Sequence, residues 1–428
     1  MRTSVIHIIE HPEKLKQQLL EWSRSFREVV LLDSNAHQAT YSDFDFVLAV
    51  DALTSVQTDH YNAFEQLSQY QQTTQDWLFG YLSYDLKNDV EDLKSQNFDG
   101  LQFPELFFFQ PKKLFLLRGN KLEVAYLPLC EDELDEDWAS IQKQPISGQE
   151  AQISLNIQAR ISPEAYLEKV QSLQKHIQAG DVYEANFCME FYAENASIDP
   201  WQQFQKLNAI SHPPFAVLLR NYKHYLMSAS PERYLKKVGN KLISQPIKGT
   251  ARRFADAALD AQAKEQLSVD PKERSENIMI VDLVRNDLSR TAAKGSVQVE
   301  ELCAIYSFEQ VHQMISTITS EMSPDYKAVA ALQTTFPMGS MTGAPKISAL
   351  QIIEQLEETK RGLYSGAVGY FTPAGDFDFN VVIRSILYNE QNQYVSFSVG
   401  SAITALSVPE NEYEECLVKA KAMREVLT

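Results

Sequence analysis

The sequence predicts an α+β fold, on three observations. Strand-like apolar runs and capped helices interleave along the chain without the regular βαβ spacing that a parallel sheet requires. Hydrophobic residues make up 44% of the 428 positions and charged residues 22%, the balance of a globular chain with a real core. No apolar run approaches the roughly 18 residues of a membrane-spanning helix. Length alone allows two or three domains or one large body.

The elements follow in order. Residues 11–26, HPEKLKQQLLEWSRSF, carry an amphipathic helical pattern. VVLLDS (29–34), LFFF (106–109) and KLFLL (113–117) read as strands. The glutamine-rich QLSQYQQTTQ (66–75) fits a polar helix or loop, and the acidic run EDELDED (131–137) a solvated loop. The polar QKQPISGQEAQ (142–152) is the best linker. A boundary is therefore expected between residues 140 and 160, separating an N-terminal region, 1–150, from a second region, 160–428. Ser162 before Pro163, and Gly180 beyond, frame the next helix. FAVLLR (215–220) and HYLMSAS (224–230) are strands. Asp270 as N-cap and Pro271 behind it start the helix DPKERSENIMIVDLVRNDL. A third helix runs from near Ala344–Pro345 to about Glu358. YSGAVGYF, FNVVIRSILYN and YVSFSVGSAI read as three strands, and PENEYEECLVKAKAMREVL as the last helix. No repeat shows at a period of 20 to 50 residues.

Charge narrows the function. A formal net charge of −18 argues against nucleic acid or an anionic membrane as partner, since either needs a basic footprint. Cys130, Cys188, Cys303 and Cys416 form no CxxC pair and read as reduced, buried thiols of a cytosolic protein. The first residues, MRTSVIHIIEHPEKLKQQ, lack the apolar core of a signal peptide, so the expected location is the cytoplasm.

Several residues have chemistry in their setting. In QPIKGTARR (245–253), Lys248 sits between a proline and a glycine, with Arg252 and Arg253 downstream: a frame for a reactive lysine or one that grips an anion. Glu273 and Glu276 lie three apart on one helix, and Glu412 and Glu415 on another, so each pair shares a face. Two such faces brought together offer four carboxylates to a hard cation such as Mg²⁺, with a substrate oxygen completing its shell. Either pair alone reads as solvated surface. Glu276, however, precedes the apolar IMIVDLV, and a carboxylate entering a core needs a partner. FPMGSMTGAPK (336–346) is a glycine turn entering a helix, either a structural turn or an anion cradle. Pro345 and the short glycine spacing exclude a P-loop. His312, in a strand-like segment, reads first as a packed residue. Arg384, in apolar VVIRSIL, reads as half of a structural ion pair or as a carboxylate clamp. Glu232, at a proline turn after a strand, is placed for general-acid work. Nucleophile-elbow, zincin and dinucleotide-binding motifs are absent from the sequence.

The motifs GDVYEANF, SPERY, PIKGTARR, KERSENIMIVDLVRNDL, VHQMIST, FPMGSMTGAPK, RGLYSGAVGY, FNVVIRS and VGSAI followed by SVPENEYEECLVKA occur together and in order. From about residue 160 to 425 the chain thereby resembles the chorismate-utilising enzymes, which include the anthranilate, aminodeoxychorismate, isochorismate and salicylate synthases. The N-terminal third matches more loosely, through LLDSNAHQATYSDFDF and GYLSYDL. The resemblance implies two large antiparallel β-sheets packed as a sandwich, helices outside, and a site in a cleft near the sheet edges.

Anthranilate synthases typically have PIAGT where this chain has PIKGT, and the lysine resembles the aminodeoxychorismate synthase branch. The implied reaction is amination of chorismate to 4-amino-4-deoxychorismate, on the way to 4-aminobenzoate and folate. In it Lys248 attacks C2 as the C4 hydroxyl leaves, and ammonia then adds at C4 and expels the lysine. Arg252, Arg253 and burial are expected to depress the pKa of Lys248. By the same resemblance Glu232 is the general acid and His312 the family's active-site histidine. Glu276 and Glu415 bind Mg²⁺ directly, while Glu273 and Glu412 act partly through water. Arg384 and Tyr370 clamp the enolpyruvyl carboxylate, and Thr342, Gly343 and Gly400 complete the substrate site.

Two departures stand out. Most relatives that use ammonia carry glutamine, and those that use water carry lysine, where this chain has Glu184; the lack of lysine argues against isochorismate or salicylate synthesis. Leu406 replaces an aspartate. No glutaminase signature is visible, so ammonia is expected from a separate glutamine amidotransferase subunit in a heterodimer. LLDS resembles a tryptophan-binding segment of relatives, but Asp33 and the lack of a fuller match argue against tryptophan regulation. The alternatives are an anthranilate synthase component I and a catalytically silent chorismate-binding partner; Lys248 and the full carboxylate set speak against the latter.

Overall fold

The computed structural model describes residues 2–37, 40–145, 154–308 and 311–428. One antiparallel layer begins at Thr3–Ile8 and passes through Lys121–Tyr126, Leu106–Arg118, Phe46–Thr58, Glu28–Asp33, Phe215–Asn221 and His224–Ser230. It continues through Ser385–Asn389 and Tyr394–Ile403 to Glu184–Ala193. The other layer passes from Leu106–Arg118 through Leu78–Leu82, Ala367–Phe371, Phe377–Val381, Arg233–Val238 and Lys241–Gln245 to Val311–Glu321. Gln298–Ser307 and Ile247–Arg252 flank that last strand.

The two-layer antiparallel body matches the expected fold class, with one refinement. The layers are a single hydrogen-bonded sheet folded over on itself. Phe46–Thr58 and Leu106–Arg118, 13 residues each, give one half to each layer. A register shift between Ala52 and Thr54 marks the bend, as a bulge does where a strand changes direction. Strands from both ends of the chain are neighbours: Glu28–Asp33 pairs with Phe215–Asn221, and Leu78–Leu82 with Ala367–Phe371.

Period-two alternation sorts side chains between two cores. Val29 and Leu31 face the helices outside the first layer, whereas Val30 faces the space between layers. Leu218 takes the outer core, and Val217 and Leu219 the inner one. Leu235, Leu242, Ile318 and Phe379 of the second layer meet them there. Phe108, fully buried, packs in this inner core against Phe371 and Phe379.

The helices obey their caps. Ser162 accepts the Ala165 N–H at 3.2 Å and Gly180, at φ +85°, ends Pro163–Ala179. Asp270 accepts the Glu273 N–H at 3.0 Å and opens Pro271–Ser289. The third expected helix is Lys346–Leu356, and the last is Pro409–Leu427. The first is shorter than the pattern implies, ending at Trp22 in the short 3₁₀ turn Ser23–Ser25. The glutamine-rich segment is helical within Ala63–Thr74.

Two expectations are corrected. The acidic run 131–137 is helical, in Pro128–Glu133 and Leu134–Gln142, because Leu134 and Ile141 are buried and Lys113 pairs with Glu133 and Asp137. FNVVIRSILYN is two strands, Phe377–Val381 and Ser385–Asn389, broken where Arg384 turns at φ +54°. Of the linker, residues 146–152 lie outside the described residues. The four cysteines are free and buried. Among the described residues no helix is long and apolar enough to cross a membrane. Phe108→Ala is expected to destabilise the protein by about 3–5 kcal/mol in denaturant unfolding, through lost apolar burial and the cavity left between the layers.

Candidate functional site

Lys248 lies on the strand Ile247–Arg252, at the edge where the Val311–Glu321 strand meets the helix Pro271–Ser289. Its ammonium donates to Glu184 Oε1 at 3.0 Å. Glu184 is only 1% exposed, and its Oε2 has no hydrogen-bond partner. Burial disfavours the ammonium, but the charges of Glu184, Glu276 and Glu232 outweigh it, so the pKa of Lys248 stands above the ordinary lysine value. This corrects the expectation of a depressed pKa. Of the expected cations, Arg253 is held by Asp260 at 2.8 Å, and the leading charges acting on Lys248 are carboxylates.

Glu232 sits in the turn between His224–Ser230 and Arg233–Val238. Its full burial pushes the carboxyl up to about 7, against the opposing pull of Ser340, Lys248 and the Ile247 backbone. It is therefore a carboxylic acid for much of its time near neutral pH, within the electrostatic reach of a lysine.

The two glutamate pairs come together at one end of the cleft. Ser401 donates to Glu412, and also to Glu415 at 3.5 Å. Lys272 stands between the helices, its ammonium 3.8 Å from Glu276 and 3.6 Å from Glu412. Lys419 bridges Glu415 at 2.6 Å and the Gly400 carbonyl at 2.8 Å. Among the described residues, no three acidic, histidine or cysteine groups already converge as a metal shell. The donor set nonetheless fits a hard cation. Four carboxylates from two helices face one another, and Glu276 Oε1 is buried without a hydrogen-bond partner. Burial and the charge of Glu184 push Glu276 up to about 7, despite Lys248 and Lys272, so the carboxylate lacks positive charge. Burial would raise Glu415 too, but Lys419 and the other lysines hold it below its ordinary value.

Arg384 borders a cavity of 330 Å³ together with Ala229, Thr250, Gln313 and Lys419. Burial lowers its pKa; Tyr364 and Glu415 are the groups whose charges oppose this. Tyr370 is not brought there. Its hydroxyl faces Asp43 at 3.4 Å and its ring packs on Phe44, Trp77 and Phe79, because it lies on Ala367–Phe371 beside the N-terminal strand Leu78–Leu82. Tyr364, before that strand, is the tyrosine whose charge acts on Arg384.

Thr342 is also corrected. Its N–H donates to Gly339 O, and its hydroxyl reaches the Met338 and Gly339 carbonyls at 3.3 and 3.2 Å, so its donors serve the turn. Gly343 matters for close approach: a Cβ there would lie 2.2 Å from the Glu184 carbonyl oxygen. Gly400 is equally confined, a Cβ meeting Asn186 Oδ1 and Cys188 Sγ at 2.5 Å. His312 is buried with both ring nitrogens engaged, Nδ1 with Ser307 at 2.9 Å and Nε2 with Asp260 at 3.1 Å. Sequence reasoning missed Lys272 and Lys419 as part of this site. Their signal was the i,i+4 spacing from Lys272 to Glu276 and from Glu415 to Lys419.

The chain belongs to the chorismate binding enzyme family, whose pattern matches residues 19–425. Aminodeoxychorismate synthase component 1 of Klebsiella aerogenes is 33% identical over 342 residues, 79% of this chain and 74% of that relative. An anthranilate synthase component I-like protein of Synechocystis is 35% identical over 350 residues, 81% of this chain and 71% of its own length. The crystal structure of anthranilate synthase component I from Streptococcus pneumoniae shares the fold, with a TM-score of 0.78 at 24% identity over 91% of this chain and 93% of that one.

The Glu232 shift sets a stability test. A carboxyl whose folded pKa is about 7 and whose ordinary value is 4.5 binds its proton more tightly when folded. Stability therefore falls as pH rises from the lower value through the upper one, by roughly 3 kcal/mol. Glu232→Gln is expected to melt higher than wild type at mildly alkaline pH, with the gain vanishing in acid; equal melting at both would refute the strained carboxyl.

Proposed function

We propose that this enzyme aminates chorismate at C4, giving 4-amino-4-deoxychorismate for 4-aminobenzoate and folate synthesis. The observation that carries the reading is Lys248, a buried amine 3.0 Å from one carboxylate and within reach of the half-protonated Glu232. The similarity to aminodeoxychorismate synthase component 1 supports it. The neutral amine of Lys248 attacks ring carbon C2, the diene shifts round the ring, and the C4–O bond breaks. Glu232 gives its proton to the departing hydroxyl, which leaves as water. Ammonia then adds at C4, the diene shifts back, and the C2–N bond breaks to free Lys248. Arg384 takes the enolpyruvyl carboxylate through its two-pronged guanidinium. Lys419 lines the same cavity and adds positive charge.

Glu276 and Glu415, assisted by Glu273 and Glu412, would hold Mg²⁺, which when bound supplies positive charge to the ring carboxylate. Ammonia comes from a separate glutamine amidotransferase subunit, a reading supported by the "component 1" in the relative's name. The compartment is the cytoplasm. Anthranilate synthesis is the second reading, favoured by the similarity to the Synechocystis protein.

Purified protein given chorismate, Mg²⁺ and ammonium at mildly alkaline pH is expected to yield, by mass spectrometry, an aminated product that keeps its enolpyruvyl group. Lys248→Ala should abolish it. Anthranilate with pyruvate would establish the second reading instead. Lys272→Met removes an ammonium lying 3.6 and 3.8 Å from two of the carboxylates. It should tighten Mg²⁺ binding in calorimetry about tenfold, the effect of one unit charge at ~4 Å in a largely solvated setting. Unchanged or weaker binding would show that Lys272 does not compete for the cation position.

A further inference from the structure

We infer that Glu184 is the proton acceptor for Lys248: it takes the ammonium proton directly before the amine attacks, and returns it when the amine leaves. This rests on the amination chemistry proposed above. A lysine can attack only as the neutral amine, so its proton needs a destination inside a buried cleft. Among the described residues Glu184 is the group hydrogen-bonded to Lys248 Nζ. The other facing groups are disposed differently. Glu232, across the turn, must keep its own proton for the leaving hydroxyl. Glu273 and Glu276, on the helix Pro271–Ser289, and Glu415, on Pro409–Leu427, act on Lys248 through charge. Arg252 ends the lysine's own strand and is a cation that accepts no proton, and Arg253, just beyond it, is tied to Asp260. On the neighbouring strand His312 is occupied at both nitrogens.

The second oxygen of Glu184 points the same way. Oε2 is buried with no partner, so half of the carboxylate's charge lacks hydrogen bonds. A proton placed on Oε2 therefore breaks no existing hydrogen bond. A glutamine amide at this position could not accept the ammonium proton; a carboxylate can.

The step balances. The Lys248 ammonium and the Glu184 carboxylate become amine and carboxylic acid. The amine lone pair forms the C2–N bond while the C4–O bond breaks, and the hydroxyl leaves as water with the proton of Glu232. When ammonia has added at C4 and the C2–N bond breaks, Lys248 departs as the amine and recovers its proton from Glu184. The new C4 ammonium gives a proton to Glu232. All three groups are restored, and the net change is chorismate plus ammonia to product plus water.

The reactive form of the pair thus holds the same number of protons as the resting form. In the wild type, acidity below the Glu232 value of about 7 should not suppress kcat through Lys248. In Glu184→Gln the lysine proton must leave to solvent, so kcat gains a limb that falls tenfold per unit of pH on the acid side. The test is kcat against pH at saturating chorismate and Mg²⁺, with total ammonium adjusted to keep free ammonia constant. A plateau for the wild type and for Glu184→Asp, and the new acid limb for Glu184→Gln, are expected. A Glu184→Gln profile of wild-type shape overturns the assignment, since a merely structural residue would leave the shape alone. Should Glu184→Gln fail to fold by thermal melting, Glu184→Asp decides: a retained plateau supports proton transfer, and a new acid limb overturns it. Wild-type protein that makes no aminated product overturns the proposed activity and this role together, a result distinct from a wild type that aminates and a glutamine variant that matches it.

Discussion

The site depends on one constraint: a single buried lysine amid more carboxylates than it can neutralise. Glu184, Glu232, Glu273, Glu276, Glu412 and Glu415 converge from strands, a turn and two helices, and burial pushes Glu232 and Glu276 up to about 7. Removing charges from water is costly, and like charges brought together cost more. The folded state tolerates this because the two-layer core beneath is extensive and because three lysines stand among the acids. Lys248 serves Glu184, Lys272 lies between Glu276 and Glu412, and Lys419 bridges Glu415 to the sheet.

Residues that never enter the cleft hold these groups in place. The lysine of GAPK and the aspartate of VRND, far apart in sequence, pair at 2.6 Å as Lys346 and Asp287, and Lys346 also donates to the Thr335 carbonyl. That contact joins the helix carrying Glu273 and Glu276 to the helix after the glycine turn. Arg361 donates to Glu357, to the Met341 carbonyl and to the Asn186 carbonyl, while Glu357 accepts the Cys188 N–H. It thereby ties the turn to the strand that begins at Glu184. Buried networks of this kind favour one arrangement of the helices and strands they join even where they add little net stability.

Local chemistry was legible in the sequence, and partnership was not. The caps at Ser162 and Asp270, the helical faces of the glutamate pairs and the proline–glycine setting of Lys248 depend on neighbours a few residues away. The charge state of Lys248 depends on Glu184, 64 residues earlier in the chain, and on helices packed beside it. Nearby arginines in sequence therefore misled about neighbours in space. Tyr370 and Tyr364 share one motif, and only strand pairing decides which acts on Arg384. Arg384 reads as mid-strand because its flanks are apolar; the fold breaks the strand there and leaves the guanidinium at a corner. The acidic run at 131–137 is largely solvated as its charges imply, but it is helical because Leu134 is buried and Lys113, from a strand elsewhere in the sequence, pairs with Glu133 and Asp137.

The electrostatics also bear on substrate entry. A chain with a net charge of −18 repels anions at long range, and the cleft itself is acidic. Recognition of a doubly charged carboxylate substrate must therefore be local. Among the described residues Arg384, unlike Lys272 and Lys419, has no carboxylate already paired with it; the charges that oppose its desolvation are those of Tyr364 and Glu415. A guanidinium cannot lower its desolvation cost by losing a proton, as a lysine can, so a buried arginine without an ion pair is under the strongest drive to acquire an anion. The same surplus of negative charge that makes Lys248 a cation at rest makes a bound cation favourable at the glutamate pairs. One imbalance thus runs through the site, from a buried guanidinium without a paired carboxylate among the described residues to carboxylates that outnumber their lysines.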